Sequence, residues 1–64
     1  MAKFNVGDLV KVDAAELPLI GIPVEEVGGL LVINEVGGAS DSWYEVRNSD
    51  GYYYGLLENA LVGV

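Results

Sequence analysis

Short apolar runs separated by glycine and proline turns are the feature that most limits how this chain can fold. The clearest run covers residues 30–36, mostly β-branched or apolar side chains between two glycine pairs. Residues 8–12 form a second run, in which two valines alternate with Leu9 and Lys11. Runs of this length that end at turn residues are typical of β-strands.

Residues 13–25 follow neither a strand period nor a helix period. Pro18 and Pro23 both lie within them, and proline lacks the backbone N–H that helices and central strands use. We therefore expect a long loop with two open interpretations. It is either a lid over an open barrel end, or a docking loop that presents the apolar side chains between the prolines: Leu19, Ile20 and Ile22.

The last third of the chain predicts a β-hairpin, with strands at residues 43–48 and 52–57 joined by residues 49–51. Three smaller elements complete the pattern: a polar turn at residues 39–42, one 3₁₀ turn at residues 58–60 and a last strand at residues 61–62. Five short strands without a helix of useful length predict an all-β fold, a small five-stranded barrel.

The turn of this hairpin decides which side chains become buried. A two-residue turn would place Val46 opposite Gly55, whereas a three-residue loop with left-handed Gly51 places Val46 opposite Tyr54. We predict the three-residue loop, because it gathers the large apolar side chains on one face: Tyr44, Val46, Tyr54 and Leu56. The opposite face then carries Trp43, Glu45, Arg47, Tyr53 and Leu57.

The size of the chain permits one domain, residues 1–64. A domain this small buries only about 60% of the surface that its unfolded chain exposes. The sequence compensates with a hydrophobic fraction of 52%. We therefore expect a core that is sufficient by itself, with dimerisation as the alternative source of stability.

Motifs at both ends resemble those of SH3 domains. The N-terminal segment resembles the pattern F-x-x-G-D-x-I-x-V in its matching residues: Phe4, Gly7, Asp8, Val10 and Val12. The C-terminal half resembles the end of the same family, with the patterns W-W-x-A-R and G-x-x-G-[FL]-[IF]-P-S-N-Y-V, in these residues: Trp43, Tyr44, Val46, Arg47, Gly51, Gly55, Leu56, Leu57, Leu61 and Val62. The resemblance covers about half of the chain and implies an SH3-like barrel.

The departures from the SH3 pattern concern the peptide-binding residues. Glu58 stands where the family has its binding proline, and Leu61 stands where it has its binding tyrosine. About thirty residues separate Val12 from Trp43, enough for an additional strand. That arrangement is similar to the SH3-like barrels of bacteria and phages, of the KOW type and the photosystem-subunit type. The resemblance implies the barrel without the polyproline site.

The composition leaves little chemistry for catalysis. The chain contains no cysteine and no histidine, so zinc sites of the usual kinds and nucleophile–histidine systems are excluded. Glu25 and Glu26 are adjacent, and adjacent residues of an extended segment point apart. We therefore predict a protein that is not an enzyme and that holds no cofactor or metal.

Ten acidic side chains face only three basic ones, which gives a formal net charge of −7. Nucleic-acid binders need cations against the phosphate backbone, so direct binding to DNA or RNA is not expected. The acidity either serves solubility or attracts a basic protein surface. The sequence has no apolar run long enough to span a membrane, and its first residues lack the apolar stretch of a signal peptide. We therefore expect a cytoplasmic protein, which the absence of cysteine fits.

The predicted partner-binding residues lie on the outward face of the hairpin and in the loop beside it: Trp43, Arg47, Tyr53, Leu57, Leu19, Ile20 and Ile22. Exposed aromatic residues of this kind commonly anchor interfaces. The alternative interpretation is structural: the loop covers the face, or Arg47 stacks on Tyr53 as a cross-strand pair.

Together these observations predict a protein–protein interaction module, such as a phage-encoded regulator or inhibitor that docks on a host protein. One alternative is an inhibitor that mimics nucleic acid and occupies a basic groove with its carboxylates. Another is a structural subunit of a larger assembly or a homodimer.

Overall fold

The computed structural model describes residues 3–37 and 42–64, and this part of the chain contains one antiparallel sheet of five strands. The strands are β1 (Leu9–Val12), β2 (Leu31–Gly37), β3 (Trp43–Arg47), β4 (Tyr53–Leu57) and β5 (Leu61–Gly63). Their order across the sheet is β4-β3-β2-β1-β5. The predicted all-β fold, a small barrel-like sheet of five strands, is confirmed.

Two short helical elements accompany the strands. The predicted 3₁₀ turn before the last strand is present at Glu58–Ala60. A single α-helical turn, α1 (Val24–Val27), follows Pro23. The predicted loop at residues 13–25 therefore ends at Pro23, whose extended backbone starts the helical turn. Residues 39–41 of the predicted polar turn lie outside the described residues.

The hairpin of β3 and β4 has the predicted three-residue loop. Val46 pairs with Tyr54, and the Asn48 N–H donates a hydrogen bond of 3.0 Å to the carbonyl oxygen of Tyr52. Gly51 has a φ of 87°, a left-handed conformation in which glycine is favoured. The Asn48 side chain also accepts hydrogen bonds from the Asp50 and Tyr52 N–H groups through Oδ1, which fixes the turn.

The core lies on one side of the sheet, where the inward residues of every strand meet. Its buried side chains are Phe4, Val10, Val12, Val27, Leu31, Ile33, Tyr44, Val46, Leu56 and Leu61. Full burial of one such side chain stabilises the fold by about 1.5–3 kcal/mol. Half-buried residues of the long loop and of β2 and β4 pack against this cluster: Leu17, Ile20, Ile22, Val36 and Tyr54.

Tyr44 joins three segments of the chain at the centre of this core. Its hydroxyl accepts hydrogen bonds from the N–H groups of Lys3 (2.9 Å) and Phe4 (3.1 Å), and donates one to Glu58 (2.7 Å). The Phe4 ring packs edge-on against the Tyr44 ring, with 5.5 Å between centroids. Burial raises the pKa of Tyr44, so the hydroxyl stays protonated and keeps its hydrogen bond to Glu58.

The substitution Tyr44→Phe tests the role of this hydroxyl. It leaves the buried Phe4 N–H without its acceptor, so we expect a loss of about 1–3 kcal/mol in the free energy of unfolding. Tyr54→Phe is the matched control, because the half-buried Tyr54 hydroxyl donates to Glu26 near solvent and water can replace it. Urea denaturation measures both variants. Equal losses in the two would contradict the role assigned to Tyr44.

A second prediction concerns acid stability. The hydrogen bond from Tyr44, supported by the Lys3 N–H, lowers the pKa of Glu58. A carboxylate with a lowered folded pKa stabilises the fold above its ordinary pKa of about 4.3, and that stability is lost as the pH falls through the folded value. Glu58→Gln removes this titration and keeps an acceptor oxygen. Urea midpoints between about pH 3 and pH 6 should therefore change less in the variant than in the wild type. The same pH dependence in both proteins would show that Glu58 does not contribute to acid stability.

Candidate partner-binding surface

The outward face of the β3–β4 hairpin presents three large apolar side chains to solvent. Trp43 is 39% exposed, Tyr53 is 53% exposed and Leu57 is 58% exposed. Trp43 lies directly opposite Leu57, and Arg47 lies directly opposite Tyr53. The long loop therefore leaves this face open to solvent. Within the described residues a cation–π contact joins Lys3 to the Phe4 ring, and none joins Arg47 to Tyr53.

Trp43 is held in place by a glycine on the neighbouring strand. Gly37 pairs with Trp43, and a Cβ atom built on Gly37 would lie 2.0 Å from the indole ring. The indole therefore lies directly against the backbone of Gly37, an arrangement in which an aromatic side chain covers a glycine of a neighbouring strand. The sheet therefore fixes the position of the indole ring of Trp43, and part of the ring stays exposed to solvent.

A groove of about 280 Å³ adjoins this face. The groove lies between β4, the 3₁₀ turn and the long loop, and its lining residues are Glu16, Leu19, Ile20, Gly55, Leu56, Leu57, Asn59 and Ala60. Leu57 belongs both to the groove and to the outward face. The face and the groove therefore form one continuous surface, which we call the β4 surface.

The long loop contributes to both the core and the β4 surface. Leu17, Ile20 and Ile22 are half-buried against the core, as a lid would be. Leu19, in contrast, is 73% exposed. The backbone N–H groups of Leu19 and Ile20 both donate to the carbonyl oxygen of Glu16, which turns the chain so that Leu19 points outward.

The structure brings together four of the seven predicted partner-binding residues. Leu19, Ile20 and Leu57 line the groove, and Trp43 lies opposite Leu57. Tyr53 and Arg47 stand at the other end of the same outward face, where Arg47 lines a separate hollow of about 440 Å³ beside the turn of the hairpin. Ile22 packs against the core and is not among the residues that line either cavity.

Acidic side chains occupy the centre of the outward face. Glu35 and Glu45 lie directly opposite each other on β2 and β3, and Gly55 continues the same row on β4. Like charges that face each other across a sheet destabilise it, by about 0.2–1 kcal/mol. The Asn34 amide donates a hydrogen bond of 2.6 Å to Glu45. The negative charge of this acidic row, Glu35 and Glu45, can therefore attract a cation.

Sequence reasoning missed five residues that line the groove of the β4 surface: Glu16, Gly55, Leu56, Asn59 and Ala60. Glu16 gave no signal, because its position in the groove follows from the folding of the loop. Gly55 did carry a signal. A glycine inside a strand often marks a place where another backbone or a ligand approaches closely.

A hydrogen bond outside the β4 surface ties the hairpin to α1. The Tyr54 hydroxyl donates to the Glu26 carboxylate, and this hydrogen bond raises the pKa of Tyr54 to about 12. The Asn48 amide nitrogen donates to the Glu26 carbonyl oxygen at 2.9 Å. Both contacts anchor the hairpin to α1, so β4 is held in a defined position.

Neither a metal site nor a membrane-spanning helix occurs in the part of the chain that the structure describes. In residues 3–37 and 42–64, no group of three or more acidic side chains is arranged to hold a metal ion. The same residues include no helix with the length and apolar character needed to cross a membrane.

Comparison with known proteins adds no relative. No protein-family model, no curated protein and no solved structure matches the chain. The SH3-like assignment therefore stays a prediction from sequence motifs.

The contact between Trp43 and Gly37 gives a stability prediction. Gly37→Ala must displace the indole, so we expect a loss of about 1–3 kcal/mol and a red-shifted tryptophan emission. Gly55→Ala is the matched control, since a Cβ on Gly55 meets no atom within 4 Å. Thermal unfolding and fluorescence measure both variants. If Gly37→Ala were as stable as Gly55→Ala, Trp43 would not lie on Gly37.

Proposed function

We propose that this protein is a non-enzymatic interaction module that binds a protein partner through the β4 surface. The observation that carries the proposal is the continuity of the exposed face with the groove. Three large side chains on the face, at 39–58% exposure, adjoin a groove in which Leu19 is 73% exposed. Contiguous apolar surface with polar residues around it commonly marks an interaction site.

The chemistry of the surface favours a protein partner over a nucleic acid. Interfaces between proteins draw most of their binding energy from a few large side chains, with tryptophan and tyrosine prominent among them. The acidic row of Glu35 and Glu45 would repel a phosphate backbone and attract a basic side chain. The net charge of −7 acts in the same direction over a longer range.

The proposal extends to the biological setting. A small, acidic chain without catalytic chemistry suits a phage-encoded regulator or inhibitor that docks on a host protein. We place this protein in the cytoplasm, because a chain without cysteine gains no stability from an oxidising compartment. The SH3-like barrel that the sequence motifs imply belongs to the same proposal.

Affinity capture tests the proposal with two matched charge substitutions. The wild type is compared with Leu57→Asp, which places a charge on the β4 surface, and with Val64→Asp, which places the same charge beside β1. Both side chains are exposed, at 58% and 74%, so neither variant should lose much stability. We expect Leu57→Asp to lose the captured partner and Val64→Asp to retain it. Loss in neither variant, or in both, would contradict the proposal.

Salt dependence separates this function from nucleic-acid mimicry. A mimic binds through many carboxylates and should lose affinity steeply between low and moderate ionic strength. An interface anchored by Trp43 and Leu57 should change much less, with any salt effect mainly in the association rate. A steep loss of affinity that Leu57→Asp does not alter would favour the mimic.

A further inference from the structure

The outer edge of β4 is an unpaired strand edge. Within the described residues β4 pairs with β3 alone, and it stands at one end of the sheet. Hydrogen bonds in an antiparallel pair alternate along the strand, and the bond from Asn48 to Tyr52 fixes the phase of this pair. Tyr54 and Leu56 therefore bond to β3. The N–H and C=O groups of Tyr53, Gly55 and Leu57 point away from the sheet.

This edge lacks the features that usually prevent strand pairing. Edge strands are commonly protected by charged residues, proline, bulges or very short length. The other end of the sheet has such protection, since β5 is only three residues long. β4 has five residues, Tyr-Tyr-Gly-Leu-Leu, with no charge and no proline, and it pairs with β3 in unbroken register.

Gly55 leaves open space at the middle of the edge. A Cβ atom built on this residue would meet no atom within 4 Å, and its φ is not among the positive values of the chain. Neither a close contact nor backbone geometry therefore requires glycine at this position. Glycine here leaves the outward face of the edge uncovered, so a long side chain of an added strand could lie across this position.

The row that contains Gly55 specifies one residue of an incoming strand. Glu35, Glu45 and Gly55 are neighbours across β2, β3 and β4, and an added strand would supply the next residue of this row. Neighbouring strands lie about 4.8 Å apart, so that residue would stand about 10 Å from the Glu45 backbone. A lysine or arginine there can reach across Gly55 to the Glu45 carboxylate.

The groove specifies the residues on either side. Successive side chains of a strand point to opposite faces, so the neighbours of the basic residue would point toward the groove. The groove has about 280 Å³ of space beside Leu19, Ile20 and Leu56. It can therefore hold apolar side chains at alternate positions of the added strand.

We propose that β4 binds an extended segment of a basic partner protein as a sixth strand, with a lysine or arginine opposite Gly55 and apolar side chains in the groove. Strand addition of this kind obtains affinity from main-chain hydrogen bonds and specificity from pockets for alternate side chains. The inference rests on the proposed function and specifies its partner and its mode of binding.

Charge selects a basic partner over a second copy of this chain. Two copies would each bring a net charge of −7 and one acidic row to the interface. Self-repulsion of that size keeps acidic proteins apart in solution. A self-paired β4 would also supply no cation to Glu45, because the strand carries no basic residue.

The main test measures binding of a synthetic peptide, Ser-Thr-Val-Lys-Val-Thr-Ser, by NMR amide shifts. The wild type should show shifts centred on Tyr53, Gly55 and Leu57. Gly55→Pro removes one outward N–H without touching the bonds to β3, so affinity should fall at least about tenfold. Gly55→Ala keeps that N–H and should stay within about threefold of the wild type.

A charge-exchange experiment tests the basic position and does not depend on Gly55→Pro folding. Glu45→Lys should weaken the peptide at least about tenfold and should prefer the peptide in which glutamate replaces the lysine. Glu25→Lys makes the same change in net charge at an exposed residue of α1 that belongs neither to the acidic row nor to the groove, and it should keep the preference of the wild type.

Several outcomes would overturn the proposal. These are no shifts at millimolar peptide, shifts centred on another strand, equal affinity of the Gly55→Pro and Gly55→Ala proteins, or unchanged preference in Glu45→Lys. A dimer in sedimentation that Gly55→Pro dissociates would assign the edge to a second copy instead.

If capture of a partner depends on Leu57 while these tests fail, the proposed function stands and strand addition is wrong. If capture fails, the proposed function itself is wrong.

Discussion

The register of the β3–β4 hairpin is the constraint on which the rest of this structure depends. Left-handed Gly51 permits a three-residue turn, and that turn determines which side chains of both strands face the core. A slip of one residue would exchange the two faces, so that Tyr44 would meet solvent and Trp43 would enter the core. The buried hydrogen bonds and the exposed surface are therefore two consequences of one turn.

Tyr44 and Trp43, adjacent in sequence, show how the two faces are stabilised differently. Tyr44 is fully buried, and its hydroxyl joins the N-terminal segment to Glu58. Trp43 rests on the backbone of Gly37 and keeps part of its ring exposed. The inner face thus supplies stability through satisfied polar groups and packing. The outer face holds an aromatic side chain in a defined place for contact.

Alternation and turn chemistry were sufficient to predict the strands, the hairpin register and both faces of β3 and β4, because these follow from local rules. They were not sufficient for the groove. Its position depends on how the loop packs against β4, with Ile20 turned inward and Leu19 outward, and no local pattern encodes that choice. The helical turn Val24–Val27 was missed for a related reason, since a four-residue element has no measurable period.

Amide hydrogen exchange in the free protein most directly tests the central claim, which is that the outer edge of β4 is open. The account predicts alternation along the strand, with slow exchange at Tyr54 and Leu56, which bond to β3, and fast exchange at Tyr53, Gly55 and Leu57. Slow exchange at all five amides would show that another part of the molecule, or a second copy, already covers the edge. That result would contradict the binding mode proposed for this protein.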